Sequence, residues 1–397
     1  MKRRGGVVLA LATIVAAALA STAGAGSSAV NRAEAVNCSG TIKLPLLTPL
    51  TGGGGPIGNE QLSWAKYAAK TLGPKLKLNV QIVGGDTPVE KGPGEALKVA
   101  QKFISDSQVA AVLGPATSGG VASASKALAK AGLLHISPSA TDTSLAAGPK
   151  AKRTASPVAF YRVVGGDYVQ GPTDANYMIS ALKAKKVVVV DFQEPYSVGL
   201  ARAANATLKA KGVTTIRLST SVDTTDFSSL VTKVPNDANV VFFPTQQPED
   251  AQTFGQQLLE QGKRAKMFGG DGTNNPKAFK IPGSYVSNFA PDISGIKGNA
   301  ARIAGWKKDN PKASLGSFGP PTYLATQIEM MAIRKACDAG GGSIKNRAAV
   351  LKYVRGIVVP NSILGGTFRF SKSNNEPVNP KFYIFQIQKN GSYKLVG

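Results

Sequence analysis

The chain contains a single histidine, His135, among its 397 residues. It stands inside the apolar run Leu134-His135-Ile136, a pattern typical of a buried strand. Histidine-dependent acid–base catalysis and histidine metal clusters are therefore nearly excluded. No Walker phosphate loop and no Gly-x-Ser-x-Gly nucleophile elbow occurs either. We predict that the protein is not an enzyme and that it holds no metal and no cofactor.

Long apolar runs are also scarce. The one near the amino terminus, residues 7–20, follows the basic residues Lys2, Arg3 and Arg4 and is short of the ~20 residues that span a bilayer. A basic head before a short apolar segment is typical of a secretory signal. We expect residues 1–35 to be a signal peptide and spacer, and the protein to be exported to the periplasm or the cell surface.

There are only two cysteines, Cys38 and Cys337. In an oxidising compartment an even pair favours one disulfide. Two alternatives stay open, namely two free buried thiols and a lipid anchor on Cys38. The segment before Cys38, Ala35-Val36-Asn37, matches a lipid-attachment motif poorly.

Acidic residues are few, 23 against 47 lysines and arginines, which gives a formal net charge of +24. Such a charge attracts polyanions. The lysines are spread along predicted helices, and the densest basic run, residues 150–153, has no aromatic neighbour for stacking on bases, so we expect no nucleic-acid partner. An anionic cell surface is one possible partner, and a solvated face that only maintains solubility is the simpler alternative.

Apolar strands and amphipathic helices alternate from residue 42 to residue 136, and the pattern restarts at residue 187. Repeated βα units of this kind favour doubly wound parallel sheets, so we expect an α/β protein with two similar lobes. The last third does not start a third lobe. Within it, residues 366–370 and 382–388 have the pattern of an antiparallel hairpin.

Small residues and hydroxyls follow two neighbouring strands of the first lobe, in the turns over residues 114–120 and 137–142. Open α/β sheets bind ligands at the carboxyl ends of their strands, and free N–H groups at helix N-termini suit a carboxylate. Ordinary helix capping is the alternative for each serine or threonine. Two such turns side by side favour a ligand site, and these turns contain Ser118, Ser139, Ala140 and Thr141.

The second lobe offers acids beside glycines. Asp167 follows Gly165-Gly166, and Asp271 lies within Gly269-Gly270-Asp271-Gly272. A carboxylate in such a turn can receive a ligand ammonium, although a turn-forming aspartate is the alternative. Tyr196 could lay its ring against the same ligand.

Across residues 40–397 the chain resembles the periplasmic binding proteins of the branched-chain amino acid (Leu/Ile/Val) ABC transport family. The resemblance rests on the order and spacing of eight segments: IKLPLLTPLTG, AAVLGPATSGG, LLHISPSATDTSL, FYRVVGGDYVQGP, EPYSVGLA, TTDFSSLVTKV, DANVVFFPTQQPEDA and FGGDG. It implies a type I fold with two lobes joined by a three-strand hinge. The lobes would be residues 36–161 plus 290–358 and residues 162–289 plus 359–397.

The resemblance also implies roles for the candidate residues. Ser118, Ala140 and Thr141 would bind the ligand carboxylate, Asp167 and Asp271 its ammonium, and Tyr196 would form an aromatic wall. Two further positions, Ile57 and Gln246, would line the pocket.

The chain departs from the family pattern at two places. Pro45 stands in the first strand, where it removes a ladder hydrogen bond. Residues 244–247, Pro-Thr-Gln-Gln, replace a commoner glycine-rich turn and would make the pocket more polar.

The function implied is capture of a small amino acid-like solute, a branched-chain amino acid first, and its delivery to the membrane permease of an ABC transporter. A ligand-sensing protein with the same fold is one alternative. A cell-surface protein associated with a polyanion is the other.

Overall fold

The structure is a computed structural model that describes residues 35–147, 150–313 and 315–397. The predicted signal peptide and spacer, residues 1–35, lies outside the described residues except for Ala35. In the described ranges, none of the helices is both long enough and apolar enough to cross a bilayer.

Strands and helices alternate along most of the described chain, as the apolar periodicity predicts. The strands are β1 Val36–Asn37, β2 Thr41–Thr48, β3 Asn79–Asp86, β4 Ala111–Leu113, β5 Leu134–Ser137, β6 Phe160–Arg162, β7 Lys186–Asp191, β8 Thr214–Ser219, β9 Val240–Phe242, β10 Lys266–Gly269, β11 Tyr285–Asn288, β12 Ser343–Ile344, β13 Val358–Val359, β14 Phe368–Arg369, β15 Tyr383–Ile387 and β16 Tyr393–Leu395. The α-helices are α1 Gly55–Leu72, α2 Gly94–Ile104, α3 Ser118–Lys130, α4 Thr143–Ala146, α5 Asp167–Ser180, α6 Pro195–Ala210, α7 Ser228–Thr232, α8 Pro248–Glu260, α9 Ala300–Asp309, α10 Gly319–Ala339 and α11 Leu351–Val354. Short 3₁₀ helices span Pro74–Leu76, Val89–Lys91, Lys150–Lys152, Asp271–Thr273, Ile293–Gly295 and Arg347–Ala349.

The first sheet has five parallel strands in the order β3-β2-β4-β5-β6. Strand β4 is buried throughout, as its unbroken apolar run predicts. Pro45 lies in β2, and the pairing of β2 with β4 is interrupted around it, since Lys43 bridges to Val109 and Leu46 pairs with Leu113. A proline has no N–H to donate, which explains the gap in the ladder.

The second sheet has seven strands in the order β16-β15-β11-β10-β9-β7-β8. Strands β7 to β11 are parallel, and the carboxyl-terminal strands β15 and β16 add antiparallel to one edge. The two doubly wound lobes predicted from the sequence are therefore the observed fold. The predicted hairpin is wrong, because β14 pairs with β13 and β15 pairs with β11. Local alternation predicts a strand but carries no information about its partner.

The first sheet is covered by helices from distant parts of the chain. Helix α10 packs against α1 and against strands β4 and β5. Trp64 of α1 stacks on Trp306 of α9, with ring centroids 4.6 Å apart. Phe368 and Phe370 belong to this same apolar core. The lobe boundaries stay a prediction, but this packing favours a last crossing into the second lobe after Phe370 rather than after residue 358.

A disulfide joins Cys38 to Cys337, with the sulfur atoms 2.02 Å apart. Cys38 directly follows β1, which pairs antiparallel with β12 shortly after α10. The disulfide therefore fixes the start of the described chain to the end of α10. Of the possibilities left open for the two cysteines, the structure contains the disulfide.

Candidate functional site

The two serine-bearing turns meet at one edge of the first sheet, because they follow the parallel neighbours β4 and β5. Ser118 is the first residue of α3, and its hydroxyl oxygen accepts the backbone N–H of Asp142 at 3.2 Å. Ser139 donates its hydroxyl to the carbonyl of Ala116 at 2.7 Å. These hydrogen bonds connect the turn before α3 to the turn after β5, which is the juxtaposition that the sequence predicts.

A chain of buried hydrogen bonds connects the turn after β5 to helix α1 and strand β2. Gln61 of α1 donates through Nε2 to the hydroxyl of Ser139 at 2.9 Å and accepts the hydroxyl of Thr48 at 2.6 Å. Gln61 and Thr48 are both fully buried. Gln61 is not among the residues predicted from the sequence, although its position four residues before Ala65 on the buried face of a predicted helix was a usable signal.

Arg162, the last residue of β6, is fully buried and contacts the turn after β5 as well. Its Nη1 donates to the carbonyls of Ala140 at 3.0 Å and Asp142 at 2.9 Å. Its Nε donates to Oε1 of Glu376 at 2.8 Å, so the guanidinium is paired with a carboxylate. This ion pair could not be predicted from local sequence patterns, because its two residues lie 214 positions apart in the chain.

Asp167 opens α5 and is fully buried beside the turn, with its N–H donated to the Thr141 carbonyl at 2.8 Å. Neither carboxylate oxygen of Asp167 has a hydrogen-bond partner among the described residues. Burial, and then repulsion from Asp142 and Asp271, raises the pKa of Asp167 well above its ordinary value, against the opposing effects of the nearby Thr141 hydroxyl and of Arg162. An unpaired buried carboxylate is costly, so a cationic ligand group would be strongly stabilised beside it.

Asp271 follows β10 and is 2% exposed. Its Oδ1 accepts the hydroxyl of Tyr196 at 3.0 Å and Nε2 of Gln170 at 2.8 Å. The Tyr196 oxygen accepts in turn the backbone N–H of Gly272 at 2.9 Å. Burial raises the pKa of Asp271 to about 6, and the hydrogen bonds from Gln170 and Tyr196 limit this rise. Tyr196, predicted as an aromatic wall, is thus fixed by its hydroxyl against the acid.

A third buried acid, Asp174 of α5, lies near Asp167 and Asp271. Its Oδ2 accepts the hydroxyl of Ser287 at 3.0 Å, and Ser287 accepts Nε2 of Gln170 at 2.9 Å. Burial is the main cause that raises the pKa of Asp174 well above its ordinary value, and Asp271 and Asp167 add to it. Residues 167, 170 and 174 share one face of α5, a helical spacing that the sequence already displayed.

The two remaining candidates line separate cavities. Ile57 lines a cavity of about 320 Å³ together with Asn274 and Trp306. Gln246 lines a second cavity of about 200 Å³ together with Glu194, and its buried Oε1 has no hydrogen-bond partner among the described residues. The other seven candidates are each at most 5% exposed: Ser118, Ser139, Ala140, Thr141, Asp167, Tyr196 and Asp271.

His135 is fully buried, with Nε2 at 2.7 Å from the Ser125 hydroxyl and Nδ1 at 3.0 Å from the Leu133 carbonyl. Burial lowers its pKa to about 4, so the imidazole is neutral at physiological pH. In the described part of the chain, no three or more His, Cys, Asp or Glu side chains are grouped to hold a metal ion. The arrangement instead offers backbone and hydroxyl groups to an anion and buried acids to a cation.

Comparison with known proteins identifies the family and the fold. A family model described as a periplasmic binding protein matches residues 41–392. A Leu/Ile/Val-binding protein from Rhizobium johnstonii is 28% identical over 337 residues, which cover 81% of this chain and 86% of that protein.

Solved structures share the fold. A branched-chain amino acid transporter substrate-binding protein from Streptococcus pneumoniae, in complex with isoleucine, has a TM-score of 0.76 and 22% identity, covering 90% of this chain and 99% of that one. A solute-binding protein of an ABC transporter from R. palustris, in complex with benzoate, also has a TM-score of 0.76, at 17% identity over 90% of this chain and 96% of that one. Since one fold holds such different ligands, the ligand must be argued from the site.

Proposed function

Because the chain belongs to the periplasmic binding protein family, we propose that it captures a small amino acid-like solute between its two lobes. It is exported, is not an enzyme, and delivers the solute to the membrane permease of an ABC transporter. Branched-chain amino acids are the ligand class proposed first, since the relative from R. johnstonii is named for leucine, isoleucine and valine. The observation that carries the proposal is Asp167, a fully buried carboxylate with no hydrogen-bond partner among the described residues.

In this proposal Ser118 and the turn over residues 139–141 bind the ligand carboxylate, while Asp167 and Asp271 receive its ammonium. Ile57 and Gln246 contact the rest of the ligand. A ligand shifts the lobes towards the closed state only by its differential affinity for that state. An ammonium between the two acids supplies such a difference, because it compensates charges that are buried when the lobes meet.

The first experiment is thermal unfolding of the mature protein against a panel of amino acids, small amides and carboxylates such as benzoate. A ligand at 100 times its dissociation constant should stabilise the fold by ~2.7 kcal/mol. We expect stabilisation by aliphatic L-amino acids that is lost in Asp271→Ala and retained in Asp226→Ala, a change at an exposed acid. Stabilisation by carboxylates alone would contradict the roles of Asp167 and Asp271.

The charge of +24 supports a second candidate, a protein held on an anionic cell surface. Its retention on vesicles of anionic lipid would fall steeply with salt, because exposed charges are screened within about 8 Å at physiological ionic strength. No stabilisation by any solute of the panel, together with such retention, would favour this role over transport.

A further inference from the structure

The proposed ligand contacts leave one buried ion pair, Arg162 with Glu376, without a function. Both side chains have no exposure, and such a pair is stable only when further hydrogen bonds offset its desolvation. Arg162 obtains these bonds from the ligand-binding turn, since its Nη1 contacts the carbonyls of Ala140 and Asp142. The ion pair is therefore built onto the turn that carries Thr141.

The contact with Ala140 fixes the direction of one donor. A trans peptide group is planar, with its C=O and N–H pointing in opposite directions. Because the Ala140 carbonyl points at the guanidinium of Arg162, the N–H of Thr141 in the same peptide group points away from it. Arg162 thus determines where this N–H can meet a ligand carboxylate.

Glu376 also connects Arg162 to helix α5, which carries Asp167. Its Oε2 accepts the hydroxyl of Tyr168, the residue after Asp167 in α5, at 2.6 Å. Burial, and then the neighbouring Glu376, raises the pKa of Tyr168 to about 12, so the phenol remains a donor at neutral pH. A single carboxylate therefore connects, through Arg162 and Tyr168, the turn for the ligand carboxylate to the helix for its ammonium.

We propose that Arg162 is a positioning residue which, through Glu376, sets the Thr141 N–H and the Asp167 carboxylate at the spacing of an α-amino acid. The site then prefers ligands that carry a carboxylate next to an ammonium over ligands that carry the ammonium alone. This inference rests on the proposed function, because it assumes that Thr141 and Asp167 contact the ligand.

The test is Arg162→Lys, which keeps the positive charge but loses the planar fork that reaches two carbonyls and Glu376 together. Arg347→Lys is the matched control, because the Arg347 guanidinium is also largely buried and also donates to two backbone carbonyls, those of Ile104 and Asp106, outside the site. Calorimetry would measure the dissociation constants of L-leucine and L-leucinamide, and urea unfolding would measure stability. For another preferred amino acid in the panel, that amino acid and its own amide are used.

We expect Arg162→Lys to weaken L-leucine binding by about tenfold or more and to reduce the preference for L-leucine over L-leucinamide by a similar factor, the size of one hydrogen bond to a charged group. Arg347→Lys should lose comparable stability with both affinities unchanged. An unchanged preference in a folded Arg162→Lys protein, or an equal loss of affinity in the control, would overturn the inference.

Tyr168→Phe extends the test if Arg162→Lys does not fold, since Tyr168 is 40% exposed and its ring would stay in place. The preference for L-leucine over L-leucinamide should again fall, and an unchanged preference would count against the inference. Wild-type protein that binds no amino acid at all would refute the proposed function itself, and this inference with it. The two failures are therefore distinguishable.

Discussion

Asp271 is a single residue in which the stability of the fold and the proposed ligand binding oppose each other. Its pKa lies at about 6 in the folded protein, against an ordinary value of 3.8. As pH rises from about 4 to 6, the unfolded chain loses this proton before the folded protein does, so the free energy of unfolding falls across that window and remains lower above it. The acid therefore destabilises the ligand-free fold at neutral pH.

We predict that Asp271→Asn stabilises the ligand-free protein at pH 7.5, by at most about 3 kcal/mol, because a shift of one pKa unit corresponds to ~1.4 kcal/mol. An asparagine keeps the acceptor oxygen for Tyr196 and Gln170. Urea unfolding at pH 4 and pH 7.5 measures the effect, and the gain should be nearly absent at pH 4. Amino acid affinity should fall by about tenfold or more, since a charged partner of the ammonium is lost.

The matched control is Asp223→Asn at an exposed acid, which should change neither amino acid affinity nor the pH dependence of stability. A gain for Asp271→Asn of equal size at both pH values would show that the charge of Asp271 is not the cause. Unchanged affinity would show that Asp271 does not contact the ligand.

At the scale of elements, helices α5 and α6 carry Asp167 and Tyr196 of the proposed site, and the two helices approach closely at Gly171. A Cβ on Gly171 would lie 2.5 Å from the Cβ of Ala203 and 2.7 Å from its carbonyl carbon. Backbone atoms cannot move aside as the end of a flexible side chain can, so any side chain here must separate the two helices.

We predict that Gly171→Ala destabilises the fold by about 1–3 kcal/mol, the usual cost of overpacking, although alanine is the better helix former by ~1 kcal/mol. Amino acid affinity should fall as well, because Asp167 lies on α5 and Tyr196 on α6. The control is Gly94→Ala in α2, where an added Cβ meets nothing within 4 Å. Equal stability changes for the two variants, measured by urea unfolding, would refute a close contact between α5 and α6.

The disulfide joins two elements at the amino-terminal side of the first sheet, before β2, whereas the turns proposed to bind the ligand follow the carboxyl ends of β4 and β5. We therefore predict that Cys38→Ser with Cys337→Ser lowers the free energy of unfolding by about 2–4 kcal/mol without changing ligand affinity. Thermal unfolding and calorimetry of this double variant check both parts. A loss of affinity in the folded variant would mean that the disulfide shapes the site.

At the scale of the whole molecule, the sequence predicts features that local patterns determine. The alternation of strands and helices predicted the parallel strands of both sheets, and the small residues after β4 and β5 indicated one edge of the proposed site. Long-range pairings were missed, because residues such as Arg162 and Glu376 meet only where the chain crosses between lobes. The predicted hairpin of residues 366–370 with 382–388 was wrong for the same reason, since strand pairing is also a long-range contact. Helix α3 begins at Ser118, because Thr117 caps it by accepting the N–H of Gly120.

The proposed closure also involves the whole molecule, and the two lobes meet where Gly53 approaches Gln247. A Cβ on Gly53 would lie 2.3 Å from Oε1 of Gln247, whose Nε2 is held by the carbonyl of Val222 at 2.7 Å. Ser317 adds a second contact, since its hydroxyl donates to Oδ1 of Asn274 at 3.3 Å. A bulky side chain at residue 53 must therefore oppose the closed state while leaving each sheet intact.

We predict that Gly53→Phe weakens amino acid affinity by about tenfold or more, because a ligand must then also supply the free energy of displacing Gln247. Small-angle scattering should show that ligand reduces the radius of gyration of the wild type but not of the variant. Gly295→Phe is the control, since nothing lies within 4 Å of a Cβ there, and it should behave as the wild type. If Gly53→Phe binds and compacts normally, ligand capture does not require the contact between these lobes. The buried acids would then have to compensate the ligand ammonium within the second lobe alone.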